Sequence, residues 1–86
     1  MLFRSAADTC TAFDGAQLCG QGVTVTGFRY CDIVAAGTNC ATACQMYAGS
    51  CLQAFNSEAG APCRIGDTVG CFDMVANGRC RCANPH

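Results

Sequence analysis

A short stretch in the middle of the chain has the features of a helix. Residues 37–39 offer a capping hydroxyl or amide, alanines that favour helix follow, and Gly49 suits the position just after a helix. The pattern predicts one short helix over about residues 39–48. Cys40 and Cys44 lie four residues apart and therefore share a face of this helix, which must point inward.

The C-terminal part of the chain carries a turn signal, Asn77-Gly78, between two alternating segments. It predicts a C-terminal hairpin formed by residues 71–76 and 79–83. Alternation turns the cysteines of the hairpin toward the helix. It places four other side chains on the opposite face: Phe72, Met74, Arg79 and Arg81. We expect an apolar patch flanked by two guanidinium groups, able to hold a partner's carboxylate or to stack on an aromatic ring. The alternative is that the N-terminal segment covers the two apolar side chains.

Residues 23–34 also alternate, and they predict a strand with valines, Cys31 and Ile33 on one side. The other side carries Thr24, Thr26, Phe28 and Tyr30. Hydroxyl and aromatic groups in such a strip can stack on sugar rings and hydrogen-bond to them. The alternative is core packing around a bulge at Gly27. A further strand at residues 52–55 completes a small antiparallel sheet, so the fold class is a small disulfide-rich α+β domain.

Ten cysteines among 86 residues exceed the roughly 8–10% that marks a disulfide scaffold, and their even number allows five disulfides. The cysteines are Cys10, Cys19, Cys31, Cys40, Cys44, Cys51, Cys63, Cys71, Cys80 and Cys82. Each bridge typically contributes about 2–4 kcal/mol, so reduction should unfold the chain. A zinc site fits less well, because the sequence has no Cys-x-x-Cys and its single histidine is the terminal His86.

The helix pair Cys40/Cys44 and the strand pair Cys80/Cys82 each aim two sulfurs the same way, so two parallel bridges can form. This arrangement resembles the cysteine-stabilised α/β superfamily of defensins and scorpion toxins, and the spacing from Cys63 to Cys80 is similar to that of the macins. The resemblance implies the pairs Cys40–Cys80 and Cys44–Cys82, and a defence or toxin role. The chain departs from the cationic character of macins and many defensins, and its first two cysteines have no obvious counterpart.

The net charge limits the classes of partner that the sequence predicts, and the disulfides indicate where the protein works. The net charge is −1 and the five arginines are scattered, which disfavours nucleic-acid binding and a membrane-disrupting cationic face. Disulfides indicate a secreted, extracellular protein, and no stretch reaches the roughly 18 apolar residues of a membrane span. We expect residues 1–7 to be a flexible segment or a remnant of cloning, and residues 8–86 to be a single disulfide-rich domain.

The sequence shows no set of catalytic groups that would converge in a pocket, so we expect neither an enzyme nor a bound metal or cofactor. The interpretation is a secreted, non-enzymatic recognition module for an extracellular protein or glycan, such as an effector, toxin or pheromone-like ligand. Two alternatives stay open. One is an antimicrobial defence peptide of the defensin or macin type, and the other is a carbohydrate-binding domain of a larger extracellular protein.

Overall fold

The computed structural model describes residues 10–84, which fold into one short helix and a five-stranded antiparallel sheet. The strand order is β1-β2-β5-β3-β4. The elements are a 3₁₀ turn (Thr11–Phe13), β1 (Leu18–Val23), β2 (Arg29–Ala35), α1 (Cys40–Gln45), β3 (Cys51–Asn56), β4 (Thr68–Val69) and β5 (Gly78–Ala83). The predicted small disulfide-rich α+β class is confirmed.

Helix α1 lies where the sequence predicts a helix, and its regular part is shorter. Asn39 caps it, because its side-chain oxygen accepts a hydrogen bond from the Thr42 N–H at 2.7 Å. Past Gln45 the chain closes in a Schellman turn, with Gly49 N–H donating to the Cys44 carbonyl at 3.0 Å. The left-handed residue of this turn is Ala48, with φ 63°, and not the glycine that the sequence suggests.

All ten cysteines are paired in five disulfides. Cys40–Cys80 and Cys44–Cys82 join α1 to the central strand β5, which confirms the two pairs that the resemblance implies. The other three bridges are Cys10–Cys31, Cys19–Cys63 and Cys51–Cys71. Four of the ten sulfurs therefore connect the helix directly to the middle of the sheet.

The core lies between α1 and one face of the sheet. Ile33 of β2 and Ala54 of β3 are buried there beside the disulfides. Phe13 of the 3₁₀ turn is fully buried in the same cluster, and its ring centroid lies 5.7 Å from that of Tyr47. A core with so few large apolar side chains depends on the disulfides to exclude water and fix the packing.

The predicted C-terminal hairpin is wrong. Residues 71–77 contain no regular strand, and β5 pairs with β2 on one edge and β3 on the other. Both edges of β5 are thus occupied by long strands, whose pairing outweighs the local turn preference of Asn77-Gly78. The alternation within β5 is nevertheless as predicted, since Cys80 and Cys82 are fully buried toward the helix.

The predicted single strand over residues 23–34 is also corrected. It is broken by a turn, because β1 ends at Val23 and β2 begins at Arg29. Gly27 has φ +94°, and its N–H donates to the Thr24 carbonyl at 2.9 Å, so this glycine closes the hairpin turn between the two strands. The strand predicted at residues 52–55 is present as β3. The segment 1–7 lies outside the described residues, and the extent of the domain stays a prediction.

Candidate recognition groove

The sheet face turned away from α1 carries a buried ionic cluster. Asp32 of β2 is 0% exposed, and Arg81 of β5 lies directly opposite it in the strand register. Arg79, two residues earlier on β5, points to the same face because strand side chains alternate. We call Arg79, Asp32 and Arg81 the arginine–aspartate triad.

Five of the six guanidinium nitrogens of the triad contact an acceptor, four of them at Asp32. Arg81 Nε donates to Asp32 Oδ1 at 3.0 Å, and Arg81 Nη2 donates to Oδ2 at 3.0 Å. Arg79 Nε lies 2.8 Å and Nη2 2.7 Å from Oδ2. Arg79 Nη1 donates to the Cys63 carbonyl at 2.7 Å. Such charge-assisted contacts satisfy the buried carboxylate, and the hydrogen bonds that Arg81 donates to Asp32 raise the pKa of Arg81, which stays charged.

Aromatic rings from the strands on either side hold Arg81 in place. Its guanidinium carbon lies 4.2 Å from the ring centroid of Tyr30 and 5.6 Å from that of Phe55. Tyr30 in turn leans over β1 at Gly22, where an added Cβ would lie 2.5 Å from the tyrosine Oη. Arg79 lies over Gly20 in the same way, since an added Cβ would be 3.2 Å from Nη2. The two glycines of β1 therefore leave the space that these side chains occupy.

Beside Arg81 the surface forms an open groove of about 600 Å³. This recognition groove lies between the β1–β2 hairpin and the start of β3. It is lined by Val23, Thr24, Val25, Thr26, Phe28, Tyr30, Leu52, Gln53 and Arg81. Its volume falls within the roughly 300–1,000 Å³ of ligand-binding clefts.

The rim of the recognition groove is apolar and exposed. Phe28 exposes 61% of its surface, and three aliphatic neighbours are exposed as well. These are Val23, Val25 and Leu52. Tyr30 and Arg81 are only partly exposed. The groove thus combines an apolar rim with a fixed cationic group.

The hairpin tip that carries Phe28 is held by its own hydrogen bonds. Thr24 N–H donates to the Phe28 carbonyl at 2.8 Å, and Phe28 N–H donates to Thr24 Oγ1 at 3.0 Å. Thr24 Oγ1 also lies 3.0 Å from Thr26 Oγ1. The hydroxyl of Thr24 is therefore engaged within the turn, where it positions the phenylalanine.

The structure combines parts of both patches that the sequence predicts. Thr24, Phe28 and Tyr30 of one patch and Arg81 of the other line the same groove. Arg79 lies beside the groove as a member of the triad. Phe72 and Met74 are exposed on the loop after Cys71, and the hairpin that would have aligned them with the arginines does not form.

Sequence reasoning missed Asp32, Leu52 and Gln53. A signal exists for Asp32, because it is the charged residue within the buried run Cys31–Ile33. It also follows Tyr30 by two residues, so both side chains lie on the same face of the strand. No local signal marks Leu52 and Gln53, since only the pairing of β3 with β5 brings them beside Arg81.

Within residues 10–84 no group of three or more His, Cys, Asp or Glu side chains is placed to hold a metal ion. The described helix is too short to span a membrane. Comparison with protein-family models, curated proteins and solved structures found no match for this chain.

Proposed function

We propose that this chain is a secreted, non-enzymatic recognition module that binds a segment of an extracellular protein in the recognition groove. The observation that carries the proposal is the rim of four exposed apolar side chains around the fixed guanidinium of Arg81. Exposed clusters of apolar side chains mark protein interaction sites, and aromatic and arginine side chains supply much of the binding energy there.

The disulfides support this role because they fix the groove before a ligand arrives. β2 is tied by Cys10–Cys31, the start of β3 by Cys51–Cys71, and β5 by its two bridges to α1. A preorganised surface loses little conformational entropy on binding. The same five disulfides in a small domain are typical of extracellular proteins, which supports secretion.

The two bridges between α1 and β5 support a relationship to the cysteine-stabilised α/β superfamily, which we propose for this part of the fold. We favour recognition over the membrane-disrupting form of defence. Arg79 and Arg81 are paired with Asp32, and Arg64 is 3.5 Å from Glu58. These three arginines are engaged in ion pairs, and they do not supply the cationic amphipathic face that membrane disruption requires.

A displayed library of random peptides, selected on the disulfide-bonded chain, tests the groove. Peptides that bind should lose at least about tenfold in affinity for the Phe28→Ser variant, as expected when an aromatic anchor is removed. Phe72→Ser is the matched control, because it removes another exposed phenylalanine and should change affinity less than about twofold.

Two other results of these experiments would change the proposal. If affinity depends on Phe72 and not on Phe28, the binding surface is the loop after Cys71 and the groove proposal is wrong. If no peptide binds but a glycan array gives binding that Phe28→Ser abolishes, the groove is retained and the protein partner is replaced by a glycan.

A further inference from the structure

We infer that the segment entering the recognition groove carries a carboxylate, which pairs with Arg81, between apolar neighbours that contact the rim. This inference rests on the proposed function and names the chemistry of the partner: an acidic peptide segment flanked by apolar residues. Three features support it: the donors of the triad, its charge, and the orientation of Arg81.

The donors of the triad are unequally used. Arg79 has all three guanidinium nitrogens engaged, two with Asp32 and one with the Cys63 carbonyl. Arg81 commits Nε and Nη2 to the same carboxylate. Its Nη1 has no hydrogen bond to any residue between 10 and 84, and Arg81 is the arginine that lines the groove. Of the six guanidinium nitrogens of the triad, Arg81 Nη1 is therefore the one without an acceptor in this range, and it belongs to the arginine that lines the groove.

The charge of the triad is also unbalanced. One carboxylate lies between two guanidinium groups, so one positive charge is left over. None of the groove-lining residues in the described range is acidic. A ligand carboxylate would supply the missing negative charge and accept from Nη1 in one contact.

The orientation of Arg81 restricts how a ligand can approach. Tyr30 and Phe55 stack against its guanidinium from the strands on either side, and Asp32 occupies the edge formed by Nε and Nη2. The remaining edge presents Nη1. Phe28 and Leu52 stand on the rim of the same groove, where burial of their apolar surface would exclude water and strengthen the ion pair.

The test uses peptides selected on the disulfide-bonded chain whose binding is lost in Phe28→Ser. These peptides should be enriched in Asp or Glu next to apolar residues. Replacing the acidic residue by its amide should weaken binding about tenfold, and Arg81→Gln should weaken the acidic peptide by the same factor. The two changes together should cost no more than either alone, because they remove one interaction.

Arg64→Gln is the matched control, since it removes the same charge from an exposed site outside the groove and should change affinity less than about twofold. This inference would be overturned if the Phe28-dependent peptides were not enriched in acidic residues, or if their affinity for Arg81→Gln were unchanged. Either result would leave the proposed function standing. The absence of any Phe28-dependent peptide would instead count against the proposed function. If Arg81→Gln does not fold, the amide peptide decides the question on the unaltered protein.

Discussion

The carboxylate of Asp32 holds both arginines of the polar sheet face. It is fully buried, and Arg79 and Arg81 expose only 17% and 22% of their side chains. Asp32→Asn would leave two desolvated guanidinium groups without a countercharge. We expect it to lower the free energy of unfolding by about 3–5 kcal/mol, as for other buried ion pairs that lose one partner.

Guanidinium chloride denaturation with intact disulfides measures this effect. Asp67→Asn, at an exposed position, is the control and should change stability by less than about 0.5 kcal/mol. A loss below about 1 kcal/mol for Asp32→Asn would show that the triad contributes little to the fold.

Gly22 of β1 lies against the ring of Tyr30 and has no room for a side chain. A Cβ here would lie 2.7 Å from the Tyr30 ring carbon Cζ, so Gly22→Ala must displace the tyrosine from Arg81. We expect a loss of about 1–3 kcal/mol, typical of overpacking, measured by the same denaturation.

Gly60→Ala is its control, because an added Cβ there meets nothing within 4 Å. It should leave stability unchanged or slightly raised. Equal effects at the two glycines would mean that the contact between β1 and Tyr30 is not tight.

The face of the strand on which each side chain lies could be predicted from the sequence, but the residue with which it pairs could not. The alternation around Cys80 correctly separates Arg79 and Arg81 from the sulfurs. Their counterion Asp32 lies 47 and 49 residues away in the chain. The pairing of Asp32 with these arginines depends on the register of β2 against β5, which no local sequence pattern encodes.

At the scale of elements, the end of α1 offers two neighbouring substitutions with opposite expected effects. Ala48 has φ 63°, which costs a residue with a Cβ about 1 kcal/mol, so Ala48→Gly should stabilise the protein by up to about 1 kcal/mol. Gly49→Ala should destabilise it, because the new Cβ would lie 2.8 Å from the Ala83 carbonyl oxygen and 3.0 Å from Phe13 Cζ.

Thermal unfolding of both variants under the same conditions measures the pair. Stabilisation by Gly49→Ala, or destabilisation by Ala48→Gly, would contradict the turn geometry described for this helix end.

The helix was predictable because its cap and its alanines are local features of the sequence. The two disulfides Cys40–Cys80 and Cys44–Cys82 were implied by the resemblance to the cysteine-stabilised α/β superfamily. The predicted hairpin does not form, although Asn77-Gly78 is a strong local signal. Strand β5 is fixed by two bridges in the middle of the sheet, where β2 and β3 occupy both its edges. β1 escaped prediction because Gly20 and Gly22, which make room for other side chains, weaken the strand pattern of its sequence.

At the scale of the whole molecule, stability depends on the five disulfides more than on the core. Each contributes about 2–4 kcal/mol, and together they match the stability of an ordinary domain. Reduction with dithiothreitol at neutral pH should therefore unfold the chain, seen as collapse of amide dispersion in a ¹⁵N correlation spectrum. A reduced protein that keeps its native spectrum would show that the apolar core suffices.

The class of the whole molecule could be predicted from the cysteine count, because a short chain with ten cysteines has few other ways to be stable. The groove could not, since it needs the β1–β2 hairpin, β5 and β3 together, and their order in the sheet is set by long-range pairing. Five of its residues were predicted from the sequence as exposed candidates, but in two separate hypotheses: Thr24, Thr26, Phe28, Tyr30 and Arg81.

A ¹⁵N correlation titration of the disulfide-bonded chain with a selected acidic peptide tests whether the recognition groove is the binding surface. We expect shift changes concentrated at residues 23–30, Leu52, Gln53 and Arg81, and we expect the amide peptide to lose these changes at equal concentration. Shift changes centred on Phe72 and Met74, or on the exposed side of α1, with none at Phe28 and Arg81, would contradict this expectation.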